Sequence, residues 1–174
     1  MQIDRIEETR LSGGDEAAII SLLGRSFGTD FGGRSFYMQR HHVRLVLRDP
    51  QIVGHMALSL RAIRLGDALV DIVGLAEVAT DPDRRGEGIA TRLMDAAIAE
   101  ARATGADFFV LFGDQPLYAA SGFVARSNTL RFVELDGART GQVQEAKRGG
   151  LMVLPLGVVA WDSDAPVDLL GHLF

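Results

Sequence analysis

The stretch from Gly74 to Met94 limits what this chain can fold into more than any other. An apolar run, Gly74-Leu75-Ala76-Glu77-Val78-Ala79-Thr80, meets a turn at Asp81-Pro82 and then the basic, glycine-rich Arg84-Arg85-Gly86-Glu87-Gly88. An alanine-rich helical pattern starts near Gly88, so the stretch reads as strand, loop and helix. The first N–H groups of a helix have no partner within it, and the macrodipole places partial positive charge at the same end. A loop of this kind can hold an anion of phosphate size.

Two common phosphate loops do not fit. A P-loop needs Gly-Lys followed by Ser or Thr, where this chain has Gly88-Ile89-Ala90. A dinucleotide fingerprint needs a third spaced glycine, which Gly86-Glu87-Gly88-Ile89-Ala90-Thr91 lacks, and the strand before it belongs to a mostly antiparallel pattern.

Around this unit the sequence predicts further elements. Gln2 to Glu8 reads as an edge strand, and Ser12-Gly13-Gly14-Asp15 starts a helix with Ile19, Leu22, Leu23 and Phe27 on its apolar stripe, ending near Gly28. Thr29 to Tyr37, with Asp30, Phe31, Arg34, Phe36 and two glycines, reads as a loop carrying aromatic side chains, either over a pocket or anchored in a core. Val43–Leu47 and Ile52–Ile63 form a hairpin turned at Asp49-Pro50. On its second strand Met56, Leu58, Leu60 and Ala62 share one face, and His55, Ala57, Ser59 and Arg61 the other. Ala68 to Thr80 is a longer strand with Asp71, Val73, Leu75, Glu77 and Ala79 on one face, which sets Glu77 among apolar neighbours.

Beyond the helix, Gly105 is a stop and Asp107–Phe112 a strand buried on both faces. A short helix, Leu117 to Ser121, ends at Gly122. Phe123–Leu135 is strand with a break at Ser127-Asn128, Asp136–Gly150 is a polar excursion or hairpin tip, and Leu151–Val159 is the last strand. Asp162–Asp168 reads as a short acidic tail, and Met152 and Trp161 as packing residues.

With 174 residues and no internal repeat, the chain is expected to be a single domain, 1–174. Its net charge of -5 argues against nucleic acid and anionic membrane as partners, since both demand clustered Lys and Arg. A neutral or cationic substrate is easier to accommodate. No cysteine is present, which removes disulfides, thiolate metal sites and thiol nucleophiles. The acidic N-terminus does not resemble a signal peptide, and no apolar run reaches the ~20 residues of a membrane span. The expected location is the cytoplasm, as a monomer or a small oligomer such as a homodimer. His41 and His42 lack ligand spacing and read as residues at an element boundary; no metal is expected.

Arg85-Gly86-Glu87-Gly88-Ile89-Ala90 matches Arg-x-x-Gly-x-Ala and resembles the acyl-CoA pyrophosphate loop of the GCN5-related N-acetyltransferase (GNAT) family. Downstream, Leu117-Tyr118-Ala119-Ala120-Ser121-Gly122-Phe123 is similar to that family's Leu-Tyr-x-x-x-Gly-Phe segment. The end of the chain, Leu151–Leu156 and the residues after Trp161, also looks somewhat like aminoglycoside 2′-N-acetyltransferases and nodulation acyltransferases.

The resemblance implies an α+β fold, a mixed and mostly antiparallel sheet flanked by helices, and an N-acetyltransferase that uses acetyl-CoA as donor and a small primary amine as acceptor. It places Val78, Ala79 and Thr80 on the strand that pairs with the pantetheine arm, and Arg85, Gly86, Glu87, Gly88, Ile89 and Ala90 around the pyrophosphate. A primary ammonium, with a pKa of about 10, must lose a proton before it attacks, and Glu77 is the candidate base, with Asp71 a weaker substitute. Tyr118 stands where the family keeps the acid that protonates the leaving thiolate. An asparagine that many members carry upstream of this tyrosine is replaced here in the region of Leu111-Phe112-Gly113-Asp114, where Asp114 or Gln115 could substitute. Two other activities remain open: an acyl-CoA sensor without turnover, and an acyltransferase for longer donors.

Overall fold

Isoleucines at 3 and 6, spaced among charges, suffice for an edge strand once a partner is available. In the computed structural model, which describes residues 1–27, 32–36, 39–137 and 139–174, Gln2–Glu7 (β1) pairs antiparallel with Val43–Arg48 (β2). The chain separates into two compact units, Met1–Ser59 with Leu75–Glu100 and Leu60–Gly74 with Ala101–Phe174. Two long strands, Ile52–Leu65 (β3) and Ala68–Thr80 (β4), each give one half to each unit.

In the first unit β1, β2, β3 and β4 are hydrogen-bonded in that order. Helix Gly13–Phe27 (α1) starts where expected, because the Ser12 hydroxyl accepts the Asp15 N–H at 3.1 Å and so caps an otherwise unpaired donor. Its Ile19, Leu22 and Leu23 pack against Val46, Ile52 and Ala79, each burial contributing about 1.5–3 kcal/mol. Phe27, expected on this stripe, is exposed. The hairpin turns at Asp49-Pro50, with Val43 opposite Leu58 and Leu47 opposite Gly54. From Ile52 to Ser59 every residue of β3 is buried, so both faces are covered rather than one.

Helix Ile89–Ala103 (α2) lies so close to β3 that a Cβ on Gly54 would stand 2.5 Å from Ile89 Cγ2 and 2.7 Å from Leu93 Cδ1. Gly54 is therefore a packing requirement of the helix that carries the glycine-rich loop.

The second unit orders its strands β6-β9-β5-β4-β3-β10-β7-β8, where β5 is Phe108–Phe112, β6 Val124–Ala125, β7 Thr129–Asp136, β8 Arg139–Lys147, β9 Leu151–Pro155 and β10 Val167–His172. β7 and β10 are parallel, and β5–β9, β6–β9, β7–β8 and β3–β10 antiparallel. A single core joins Ile63, Ile72, Phe108, Val110, Phe132, Leu151, Val153 and Leu169, with Trp161 edge-on to Phe108 at 5.1 Å. Pro116–Ala120 (α3) is the short helix anticipated near Leu117.

Leu60 and Asp71 lie at the exposed ends of the faces they share with buried residues. Two readings need correction here. The stretch taken as an acidic tail runs into a tenth strand, β10, and the last strand anticipated as Leu151–Val159 stops at Pro155. Buried Asn128 anchors the connection to β10: its side-chain amide donates to the carbonyls of Asp162 at 2.9 Å and Ala165 at 2.8 Å, and accepts from Trp161 Nε1 at 3.0 Å. Among the described residues no helix is long and apolar enough to cross a membrane.

Gly54→Val should cost about 1–3 kcal/mol, the usual penalty for overpacking a filled site, without altering the far-UV spectrum. Urea denaturation measures it, and an unchanged midpoint would mean that α2 does not depend on this contact.

Candidate functional site

The glycine-rich loop has the conformation its glycines permit. Gly86 (φ 85°) and Gly88 (φ 74°) take left-handed backbone that other residues rarely adopt, and the first main-chain bond of α2 closes from Arg92 N–H to the Gly88 carbonyl at 3.1 Å. Among the described residues, no protein acceptor meets the N–H groups of Gly86, Gly88, Ile89 or Ala90. They are unpaired donors grouped at a helix start, the arrangement that binds a phosphate.

A glutamate in such a loop would repel an anion, and here it is neutralised. Arg84 grips both Glu87 oxygens at 2.7 Å and Asp49 Oδ2 at 2.9 Å, and its guanidinium holds the Glu87 carboxyl below its ordinary value. Arg85 is exposed and makes no ion pair among the described residues, so its charge remains available to a ligand.

On β4 the three strand positions differ. Ala79 points its side chain into the core with Ile19 and Leu22, which leaves only its backbone for a ligand. Val78 and Thr80 are half-buried. The Thr80 carbonyl already accepts the Ser26 hydroxyl at 3.2 Å.

Glu77 does not have the apolar surroundings read from its strand. Its Oε2 lies 3.1 Å from Arg44 NH1 and 3.1 Å from His41 Nε2, with its side chain 8% exposed. Its backbone is left-handed at φ 50°, a conformation costing a non-glycine residue about 1 kcal/mol or more. His55 steadies it: ring Nδ1 stands 2.8 Å from the Glu77 carbonyl, so this nitrogen carries the proton, and Nε2 faces the Arg44 guanidinium at 3.3 Å. Arg44 is fully buried and also reaches Glu8 at 2.8 Å and the Ser35 carbonyl at 2.6 Å. Burial pushes Glu8 up, but Arg44 and Arg40 outweigh it and hold the carboxyl below its ordinary value. His41 Nδ1 is 3.0 Å from Ser59 Oγ.

The sequence reading missed most of this cluster. Its signals were an arginine within the apolar Val43-Arg44-Leu45-Val46-Leu47, and His55 and Ser59 on one face of β3; Arg44 pairs with Ala57, between them. His41 stands just before β2 as expected, yet it is buried in the cluster.

In the second unit Tyr118 is 7% exposed, and burial, then the Asp114 charge, push its hydroxyl above the ordinary value. Its ring covers Gly113, where a Cβ would stand 2.6 Å from Cε2. Among the described residues its hydroxyl makes no hydrogen bond. Asp114 and Gln115, the candidates for the missing asparagine contact, are exposed and 3.4 Å from one another. Asp71 bonds through its backbone to Asp107. Of the acceptor-side stretches, 136–150 forms the β7–β8 hairpin, whereas Asp30, Phe31 and Tyr37 lie outside the described residues.

The family model for the acetyltransferase (GNAT) domain matches residues 9–125, about two thirds of the chain and the whole of the loop and Tyr118. The chain belongs to the GNAT acetyltransferase family. No curated protein matches the sequence. Among solved GNAT structures, one from Brucella melitensis in complex with acetyl-CoA is 23% identical over 95% of each chain, with a TM-score of 0.61. The YhbS N-acetyltransferase of Escherichia coli, in complex with CoA, is 22% identical over 97% of this chain and 88% of its own, with a TM-score of 0.66. The ribosomal-protein-S18-alanine N-acetyltransferase of Escherichia coli is 18% identical over 91% of this chain and 97% of its own, at 0.58. These establish the GNAT fold, α+β with a mixed, mostly antiparallel sheet. The likeness of Leu151–Leu156 to aminoglycoside and nodulation enzymes has no support in the family match, which ends before it.

Burial, and then the Arg44 charge, push the His55 imidazole from 6.5 down to about 3. Between these values the unfolded chain takes up a proton that the folded chain refuses, so stability falls as pH is lowered, by about 1.4 kcal/mol per unit. In His55→Gln the slope of unfolding free energy against pH should be shallower by about that amount, and an unaltered slope would show that His55 is charged in the fold.

Proposed function

We propose that this GNAT protein transfers the acetyl group of acetyl-CoA to a primary amine of a small acceptor, directly within a ternary complex. The observation that carries the reading is the loop: four N–H groups, of Gly86, Gly88, Ile89 and Ala90, without a protein acceptor among the described residues, two of them on left-handed glycines, with Glu87 paired to Arg84 and Arg85 in no ion pair. That chemistry suits a pyrophosphate, and the two relatives that hold acetyl-CoA or CoA in their crystal structures lend it to this chain. The absence of cysteine favours direct transfer over an acyl-enzyme on a thiol.

In this reading the acceptor nitrogen attacks the thioester carbonyl carbon, a C–N bond forms, and the C–S bond breaks. Glu77 takes the proton released from nitrogen; its side chain keeps a small exposed surface while Arg44 fixes its orientation. Tyr118 donates a proton to the leaving thiolate, a role suited to a phenol whose pKa is raised, since it stays protonated across the neutral range. The chain's net charge of -5 suits a cationic acceptor.

Amine-dependent release of CoA thiol from acetyl-CoA, measured across a panel of small primary amines, tests the reading. Glu77→Gln and Tyr118→Phe should each lower kcat on the order of 10²-fold while changing acetyl-CoA affinity little. Tight acetyl-CoA binding without thiol release from any amine would assign the protein to the sensors, and greater turnover with longer acyl-CoA would assign it to the long-chain acyltransferases.

A further inference from the structure

The buried cluster around Glu77 holds a histidine that the mechanism above leaves idle. His41 has a side chain 4% exposed, and its Nε2, fully buried, has no hydrogen-bond partner among the described residues although Glu77 Oε2 is only 3.1 Å away. Buried polar atoms are almost always paired, so an orphan calls for a reason. Nε2 is within proton-exchange distance of the Glu77 carboxylate but the ring is not aligned for a hydrogen bond, and Ser59 Oγ stands 3.0 Å from Nδ1 at its other edge. A small rotation of the ring that brings Nε2 into line with Oε2 lets the two share one proton.

The charges around the pair favour such an arrival. Among the described residues the charged and titratable groups around it include Glu8 and Arg40 beside Arg44, Glu16 bonded to Arg40 at 3.1 Å, His55 behind the Glu77 backbone, and Arg44 itself. Among the described residues three carboxylates, Glu8, Glu16 and Glu77, meet two guanidinium groups, Arg40 and Arg44, which is one negative charge in excess before either histidine is counted. His55 is no competitor for a proton, because its Nδ1–H is spent on the Glu77 carbonyl and its Nε2 faces Arg44. The cluster has room for one positive charge, and His41 is where that charge can go.

We propose that His41 and Glu77 act as one proton-accepting unit: Glu77 meets the acceptor amine and passes its proton to His41 Nε2, with Ser59 and Arg44 holding the pair. This rests on the acetyltransferase reading. In the step, the N–H bond of the attacking nitrogen breaks as an O–H bond forms on Glu77; that bond then breaks as N–H forms at His41 Nε2, and Glu77 returns to the carboxylate beside Arg44. The imidazolium Nδ1–H donates to Ser59 Oγ. After the acetylated product leaves, the proton returns to solvent through Glu77. His41 is a relay and positioning residue, because it reaches the amine only through Glu77.

The test is the pH dependence of amine-dependent thiol release in wild type, His41→Gln, Glu77→Gln and the double variant. His41→Gln should lower kcat about 10- to 100-fold, leave the KM for acetyl-CoA within about two-fold, and remove one ionisation from the acid limb of the kcat profile. In the Glu77→Gln background the same change should alter kcat less than about two-fold, since members of one unit are not additive. A packing role for His41 would lower stability but leave the acid limb in place. Ser59→Ala covers the case in which His41→Gln does not fold: it keeps the imidazole, and it should lower kcat and shift the acid limb. An unchanged profile and rate in His41→Gln, or in Ser59→Ala where the former is unfolded, would overturn the relay. Equal losses in both Glu77 backgrounds would overturn it as well. If wild type releases no thiol with any amine, it is the acetyltransferase reading that has failed; an active wild type with an equally active His41→Gln removes only the relay.

Discussion

A fully buried guanidinium, that of Arg44, is the interaction on which the rest of this site depends. Removing such a charge from water is expensive, and the fold tolerates it only where partners replace the lost hydration. Glu8 and Glu77 supply the opposite charge, and the Ser35 carbonyl and the His55 ring complete the shell. These partners come from the segment after β1, from β3 and from β4, so one side chain of β2 ties together most of the sheet in its unit. Deleting one partner of so buried a pair typically costs about 3–5 kcal/mol. The arrangement also explains why Glu77 can hold a left-handed backbone: Arg44 fixes its carboxylate and His55 fixes its carbonyl.

The loop at the start of α2 solves a different electrostatic problem. It must be attractive to an anion while carrying a glutamate between its two glycines. Arg84 solves this by spending its charge on Glu87 and Asp49, which stiffens the loop and leaves Arg85 and the backbone donors for the ligand. The close contact of Gly54 with Ile89 and Leu93 sets the helix against β3, so the position of those donors follows from core packing. The geometry of the proposed anion site therefore depends on residues outside the loop, on Asp49 in the hairpin turn and on Gly54 in a buried strand.

The elements that local rules govern were legible in the sequence. Ser12 capped α1, Asp49-Pro50 turned the hairpin, Gly105 and Gly122 ended their helices, and Arg85–Ala90 opened α2. What the sequence concealed was decided by tertiary contact. β10 has Val167, Leu169 and Leu170 as its apolar signal, without clean alternation, and it is a strand because Asn128 holds the approach to it and β3 and β7 flank it. The surroundings of Glu77 were misread because alternation along a strand says which residues share a face and nothing about the neighbouring strand. The Arg44, His41 and His55 that replace its expected apolar neighbours come from positions 33, 36 and 22 residues away in the chain, and a left-handed residue inside a strand has no sequence signature when it is not glycine.

The claim that most of this account hangs on is that the backbone of the glycine-rich loop holds the pyrophosphate of CoA. Amide chemical shifts of Gly86, Gly88, Ile89 and Ala90, followed by two-dimensional NMR while CoA is titrated into the full chain, test it most directly. The account predicts saturable downfield shifts of these four amides with CoA, and none with pantetheine, which lacks the pyrophosphate. CoA that binds while these amides stay unmoved would contradict it.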